Sequence, residues 1–232
     1  MNRTDPYAVP TIAVAVVLPA TFLVCFFTLG AAIDWPNSLN GDAASYLPLI
    51  AEHVDTVRFG YSFYFGACAL HAVLAAFLAL HIGITKRPWL AAASVIGVLA
   101  GLFKMLGIAR WLAAMPAIAT MLDGDPSAVA VAYEALNGYA GLTLGEGVGV
   151  GLFTGLWFGL VALSTGPVAD EEAALPTWLR ALFAVTALLS LTTFTELYGN
   201  DTGAVPMLTG YMQYFGYWFL AAALVLRLRA QT

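Results

Sequence analysis

Charge is scarce in this sequence. Nine lysines and arginines and fourteen aspartates and glutamates make up only 10% of its 232 residues. A soluble domain carries about 25% charged residues, so the deficit points away from an ordinary soluble fold and toward a membrane. There is no basic run and the net charge is −5, which argues against a nucleic-acid partner. Cysteine is nearly missing. Cys25 and Cys68 both lie in apolar stretches and read as small packing residues rather than a disulfide framework. Motifs that mark common chemistries are also lacking: no HExxH, CxxC, GxSxG or phosphate-loop pattern occurs. His71 and His81 fall on one expected helix, roughly 15 Å apart by rise, so they do not share one haem iron. No two carboxylates pair closely on one helix, as a di-metal site often requires. No metal and no cofactor is expected.

Apolar length is what the chain has in abundance, with 61% hydrophobic residues. The stretch around which it is organised is 139–164, YAGLTLGEGVGVGLFTGLWFGLVALS. It spans about one bilayer thickness and is interrupted by one carboxylate, Glu146. Glycines recur through it in two rows, Gly141, Gly145 and Gly149, then Gly147, Gly151, Gly155 and Gly159. In lipid every backbone group must be bonded internally, so such a segment is helical, and small residues let neighbouring helices approach closely. At about 100° per residue, Tyr139, Leu142, Val150, Phe153 and Trp157 share the face of Glu146. The Gly147–Gly159 row then lies opposite. This geometry predicts a carboxylate flanked by aromatics and turned into the protein.

The chain divides into six expected spans, 9–33, 60–84, 89–115, 139–164, 177–198 and 205–226. The first is too long for a signal-peptide core and reads as a retained span. Two short interfacial helices are expected, within 42–57 and 127–136. Pro116 should bend or end the third span. Asp125 should cap the helix that Pro126 opens. The fold class is an all-α polytopic transmembrane helix bundle, one integral membrane domain over 1–232. Alternating the spans places Arg3, Lys86, Arg87, Arg180, Arg227 and Arg229 on one side and Arg58 on the other. The positive-inside rule then makes both termini cytoplasmic, in a bacterial inner membrane. The halves lack matching broken helices, which weakens an inverted-repeat transporter reading.

Ionisable residues inside spans are costly and are functional candidates by default. Lys104, Arg110, Glu146 and Glu196 fall at similar depth on the third, fourth and fifth spans. The sixth adds Tyr211, Gln213, Tyr214 and Tyr217 at that level. Glu146 is expected to pair with Lys104 or Arg110, because consecutive antiparallel spans are usually neighbours. Such a cluster serves either as a ligand site or only as a register-holding ion pair. His71, near mid-membrane, reads as a core histidine. His81, near the cytoplasmic end, should snorkel or cap its helix.

Arg110-Trp111 with Leu112 and Pro116, then Leu144-Gly145-Glu146 and Gly155-Leu156-Trp157, resemble the bacterial multi-pass membrane family filed as domain of unknown function 4386. The likeness covers 107–157. It implies six or seven helical spans and singles out Arg110, Trp111, Glu146 and Trp157, but supplies no catalytic role. The expected function is a non-enzymatic binding or accessory subunit with a polar pocket in the outer half of the membrane. Its partners would be membrane lipid and a larger membrane complex or a second copy. An intramembrane enzyme acting on a lipid or quinone through Glu146, and a small-solute transporter, are the alternatives.

Overall fold

The computed structural model describes residues 5–39, 41–122, 124–168 and 174–231. Arg3, Asp123 and the acidic turn of Asp170, Glu171 and Glu172 lie outside the described residues. Among the described residues the fold is all-helical. Its elements are α1 (Ala8–Ile33), α2 (Ala43–Glu52), α3 (Val54–Ile82), α4 (Pro88–Leu112), α5 (Ala114–Ala119) and α6 (Pro126–Leu136). A π-helical segment (Asn137–Thr154) continues α6 into α7 (Gly155–Ser164). Helix α8 (Thr177–Phe194), a 3₁₀ turn (Thr195–Tyr198) and α9 (Val205–Gln231) follow. A second 3₁₀ turn, Asn37–Leu39, sits between α1 and α2.

The helix ends follow local chemistry. Asp42 caps α2 by accepting from the Ser45 amide at 2.9 Å, and Asp125 caps α6 by accepting from Ala128 at 3.1 Å, with Pro126 first in the helix. Gly83 ends α3 with φ 99°, a left-handed conformation that glycine adopts without a Cβ clash. Helix α4 breaks at Ala113 rather than at Pro116 itself. The proline ring clashes with the carbonyl four residues back, which is Leu112, so the break belongs one turn earlier than the proline. At the end carrying the termini, arginines bond helix-terminal carbonyls. Arg87 donates to Ser164 and Gly166, and Arg180 to Ala162 at 2.9 Å. His81, expected to snorkel or cap its helix, bonds the Asp5 carboxylate.

Among the described residues, five helical stretches are long and apolar enough to cross a membrane: Ala8–Ile33, Val54–Ile82, Pro88–Ala119, Pro126–Ser164 and Thr177–Tyr198. The expected sixth, in α9, is long enough at 27 residues. It falls outside that group because Gln213 and three tyrosines dilute its apolar run. The second span begins earlier than position 60, at Val54. The helix expected at 127–136 is continuous with the glycine-rich span. At the end of the bundle opposite the termini, α2, α5 and α6 pack against one another.

Two apolar cores result. One lies toward the termini and centres on Trp157, Phe158, Phe183, Tyr217 and Leu220. The other lies toward the opposite end and centres on Phe22, Trp35, Tyr61, Trp111 and Tyr133. Cys25 and Cys68 are free thiols buried in the second core.

Candidate functional site

The π segment is wedged between α4 and α8 by its glycines. A β-carbon on Gly107 of α4 would lie 2.5 Å from the Gly145 Cα, and one on Gly149 would lie 2.9 Å from the Lys104 amide nitrogen. On the other side a β-carbon on Gly151 would lie 2.8 Å from the Phe194 amide nitrogen. Both glycine rows are therefore packing surfaces, and Glu146 projects between them. The Thr143 hydroxyl donates to the Gly138 carbonyl and the Thr154 hydroxyl to the Gly149 carbonyl, each five residues back. This is the spacing of a π-helix.

That winding corrects the expected face of Glu146. A π-helix turns less per residue than the α-helix assumed above, so the register drifts. Val150 stays beside Glu146 on the cavity wall. Tyr139 is exposed, Phe153 packs on Phe103, and Trp157 lies in the core nearer the termini. The aromatics around the carboxylate come instead from other elements.

Glu146 lines a cavity of about 340 Å³ between the two cores. The cavity reaches the end of the bundle opposite the termini, at Asn37, Glu196 and Gly203. Its apolar walls are Phe22 and Phe26 of α1, Trp35, Tyr64 of α3, and Tyr211 and Tyr214 of α9. Phe22 and Tyr214 stack with centroids 3.4 Å apart and planes 9° from parallel. Lys104 of α4 and Gln213 of α9 supply polar groups deeper in. The Lys104 ammonium donates to Gln213 Oε1 at 3.3 Å, and Gln213 Nε2 donates to Ser190 Oγ at 3.2 Å. Lys104 is only 6% exposed. Glu196 stands at the rim and accepts from the Thr202 hydroxyl.

A smaller annex of about 20 Å³ adjoins this space, sharing Leu39, Tyr64, Lys104, Glu146 and Val150 as lining. It adds Arg110. Arg110 is 5% exposed. Its Nε donates to Asn137 Oδ1 at 3.1 Å and its Nη1 to the Gly107 carbonyl. Its Nη2 has no hydrogen-bond partner among the described residues. Tyr64, Arg110 and Glu146 all line the annex. Asn137 in turn donates to the Leu39 carbonyl at 2.9 Å, tying the turn over the cavity to α6.

The structure thus brings Glu146, Lys104, Glu196 and Tyr214 onto one cavity wall and places Arg110 in the annex. Trp111 backs the annex: its ring stacks on Tyr61 at 4.6 Å, and the Arg110 guanidinium lies 5.4 Å from its centroid. His71 and Trp157 are elsewhere, 4.8 Å apart in the core nearer the termini. His71 Nδ1 is 2.6 Å from the Tyr217 hydroxyl. Among the described residues no group of three or more histidine, cysteine or acidic side chains is placed to hold a metal. Sequence reasoning missed Phe22, Trp35, Tyr64 and Asn137. Asn137 alone carried a signal, as a polar side chain at the head of an apolar run. No protein-family model, no curated protein and no solved structure matches this chain.

Proposed function

We propose that this chain is an integral membrane protein that binds an amphipathic small molecule in the cavity beside Glu146. The observation that carries the reading is the cavity itself. Its volume suits a small organic ligand, its walls are mostly aromatic, and buried Lys104 and Gln213 offer hydrogen bonds at depth. Below it, Trp157, Phe158, Phe183, Tyr217 and Leu220 pack into a closed apolar core. A blind end supports binding rather than passage of a solute. Helix α9 is taken as the sixth span, and α2 and α6 as lying near the membrane surface. Lys86, Arg87, Arg180, Arg227 and Arg229 all fall toward the termini, which supports a cytoplasmic placement of that end in a bacterial inner membrane. The cavity then faces outward. The likeness of 107–157 to the family filed as domain of unknown function 4386 remains part of this proposal.

The test is native mass spectrometry of the protein released from nanodiscs, beside Gly210→Trp. Gly210 lines the cavity, and no heavy atom lies within 4 Å of where its β-carbon would stand, so the indole fills ligand space. Bound small-molecule mass on the parent and none on the variant is expected. Equal occupancy of both would sink the reading.

A further inference from the structure

We infer, resting on the reading that the cavity binds an amphiphile, that the ligand carries a single negative charge placed beside Lys104 on a ring-bearing body. Charge around the annex sets the head group. Lys104 and Arg110 are both buried and line the annex together with Glu146. One carboxylate offsets one of two cations. A buried charge without an opposite charge is costly, so these three side chains hold an excess of one positive charge that a monoanion would neutralise. The ammonium of Lys104 has three donors. The hydrogen bond described for it goes to Gln213 Oε1, a neutral acceptor at 3.3 Å.

Glu196 does not serve as this counter-charge. It sits on the 3₁₀ turn at the rim, engaged with the Thr202 hydroxyl. The cavity is therefore polarised, positive at depth and negative at its mouth. An anionic head is drawn inward and a cationic one is held at the entrance.

The body follows from the walls. Phe22 stands edge-on to Trp35 and Tyr64, each at 5.5 Å between centroids, and Trp35 stands edge-on to Tyr64 at 5.8 Å. Trp35 is 8% exposed, and its Nε1 finds no hydrogen-bond partner among the described residues. Aromatic walls favour ring-bearing ligands through offset and edge contacts. A ring with one carboxylate fits better than a plain alkyl chain.

Three probes with a common body and different heads test this: 4-butylbenzoate, 4-butylbenzyl alcohol and 4-butylbenzylammonium. Each is titrated calorimetrically into the protein in nanodiscs, with empty nanodiscs subtracted. The benzoate should bind about tenfold or more tighter than the alcohol, the scale of one charge-assisted hydrogen bond. The ammonium should bind weakest. Gln213→Glu sets a carboxylate beside Lys104 and should erase the preference. Lys104→Met should erase it as well, by removing the cation. If the alcohol or the ammonium binds as tightly as the benzoate, or if the preference survives both substitutions, the anionic assignment is overturned while the cavity stands as a binding site. If none of the three binds beyond empty nanodiscs, the binding reading falls with it.

Discussion

Gly107 and Gly145 meet backbone to backbone where α4 crosses the π segment, and this contact sets Lys104, Arg110 and Glu146 around one space. A β-carbon on Gly107 would lie 2.5 Å from the Gly145 Cα, whereas one on Gly145 would lie 3.1 Å from the Gly107 Cα. The obstacle is backbone in both directions, so neither helix can yield by turning a side chain. Gly107→Ala should therefore lower stability by about 1–3 kcal/mol, the usual scale of overpacking. Gly145→Ala should cost less. Gly138→Ala, with no heavy atom within 4 Å of its β-carbon position, should be close to neutral. Thermal unfolding in detergent ranks the three, and equal midpoints would mean that the helices are not in this contact.

Asn137 predicts a different kind of loss. It accepts from Arg110 Nε and donates to the Leu39 carbonyl, at 3.1 and 2.9 Å. Asn137→Leu keeps the branching at Cγ but orphans a buried guanidinium donor and a carbonyl. The cost should be about 1–3 kcal/mol for each group left unsatisfied, with the charged donor at the high end. The turn Asn37–Leu39 should also loosen over the cavity. Hydrogen exchange at residues 37–39, compared between parent and variant, checks this. Unchanged protection there would show that Asn137 does not tether the turn.

The long apolar helices and the gathering of charge were legible in the sequence because a sustained apolar run leaves the backbone little choice and makes each charge within it conspicuous. Rise alone puts Lys104, Arg110, Glu146 and Glu196 at similar depth; the four line the two adjoining spaces, but with Glu196 at the rim and Lys104 deeper in. The faces were not legible. A run as glycine-rich as 137–154 does not announce whether it winds with α or π spacing, and the choice moved Trp157 from the carboxylate to the opposite core. Nor could Phe22 be told from the other apolar residues of α1. Its role depends on which neighbour stacks on it, Tyr214 of α9, nearly two hundred positions away. The sixth span was read from length, and the polar residues that dilute its hydropathy are those the cavity uses.

At the opposite end, Asp42 gives a pH prediction. Its carboxylate accepts from the Ser45 amide and hydroxyl, both at 2.9 Å. The Ser45 backbone bond, then its side-chain bond, hold the Asp42 carboxyl below its ordinary value of 3.8. The sign follows. The ionised cap is favoured in the folded state, so its contribution is present above the unfolded value and is lost as pH falls through the lower folded one. Helix α2 should fray first at its N-terminus as the solution is acidified below about pH 4. Asp42→Asn, which keeps a capping oxygen without the ionisation, should flatten the Asp42 part of the profile. Amide exchange in residues 43–46 across pH reads it, and an identical profile in parent and variant would remove Asp42 as the cause.

The strongest prediction concerns Glu146 and Arg110. Arg110 and Glu146 both line the annex. Removing either should leave the other charge buried and under-compensated, at about 3–5 kcal/mol. Arg110→Ala should be the costlier change, since it also frees Asn137 and the Gly107 carbonyl. The double mutant removes both charges and should recover much of the loss, so the two effects should fall well short of adding. A parallel cycle of Glu146→Ala with Lys104→Ala should show weaker coupling, because Lys104 already has Gln213. Unfolding midpoints for the six proteins decide the matter. Additive losses in the Arg110 cycle would mean that the carboxylate and the guanidinium share a wall without sharing an interaction.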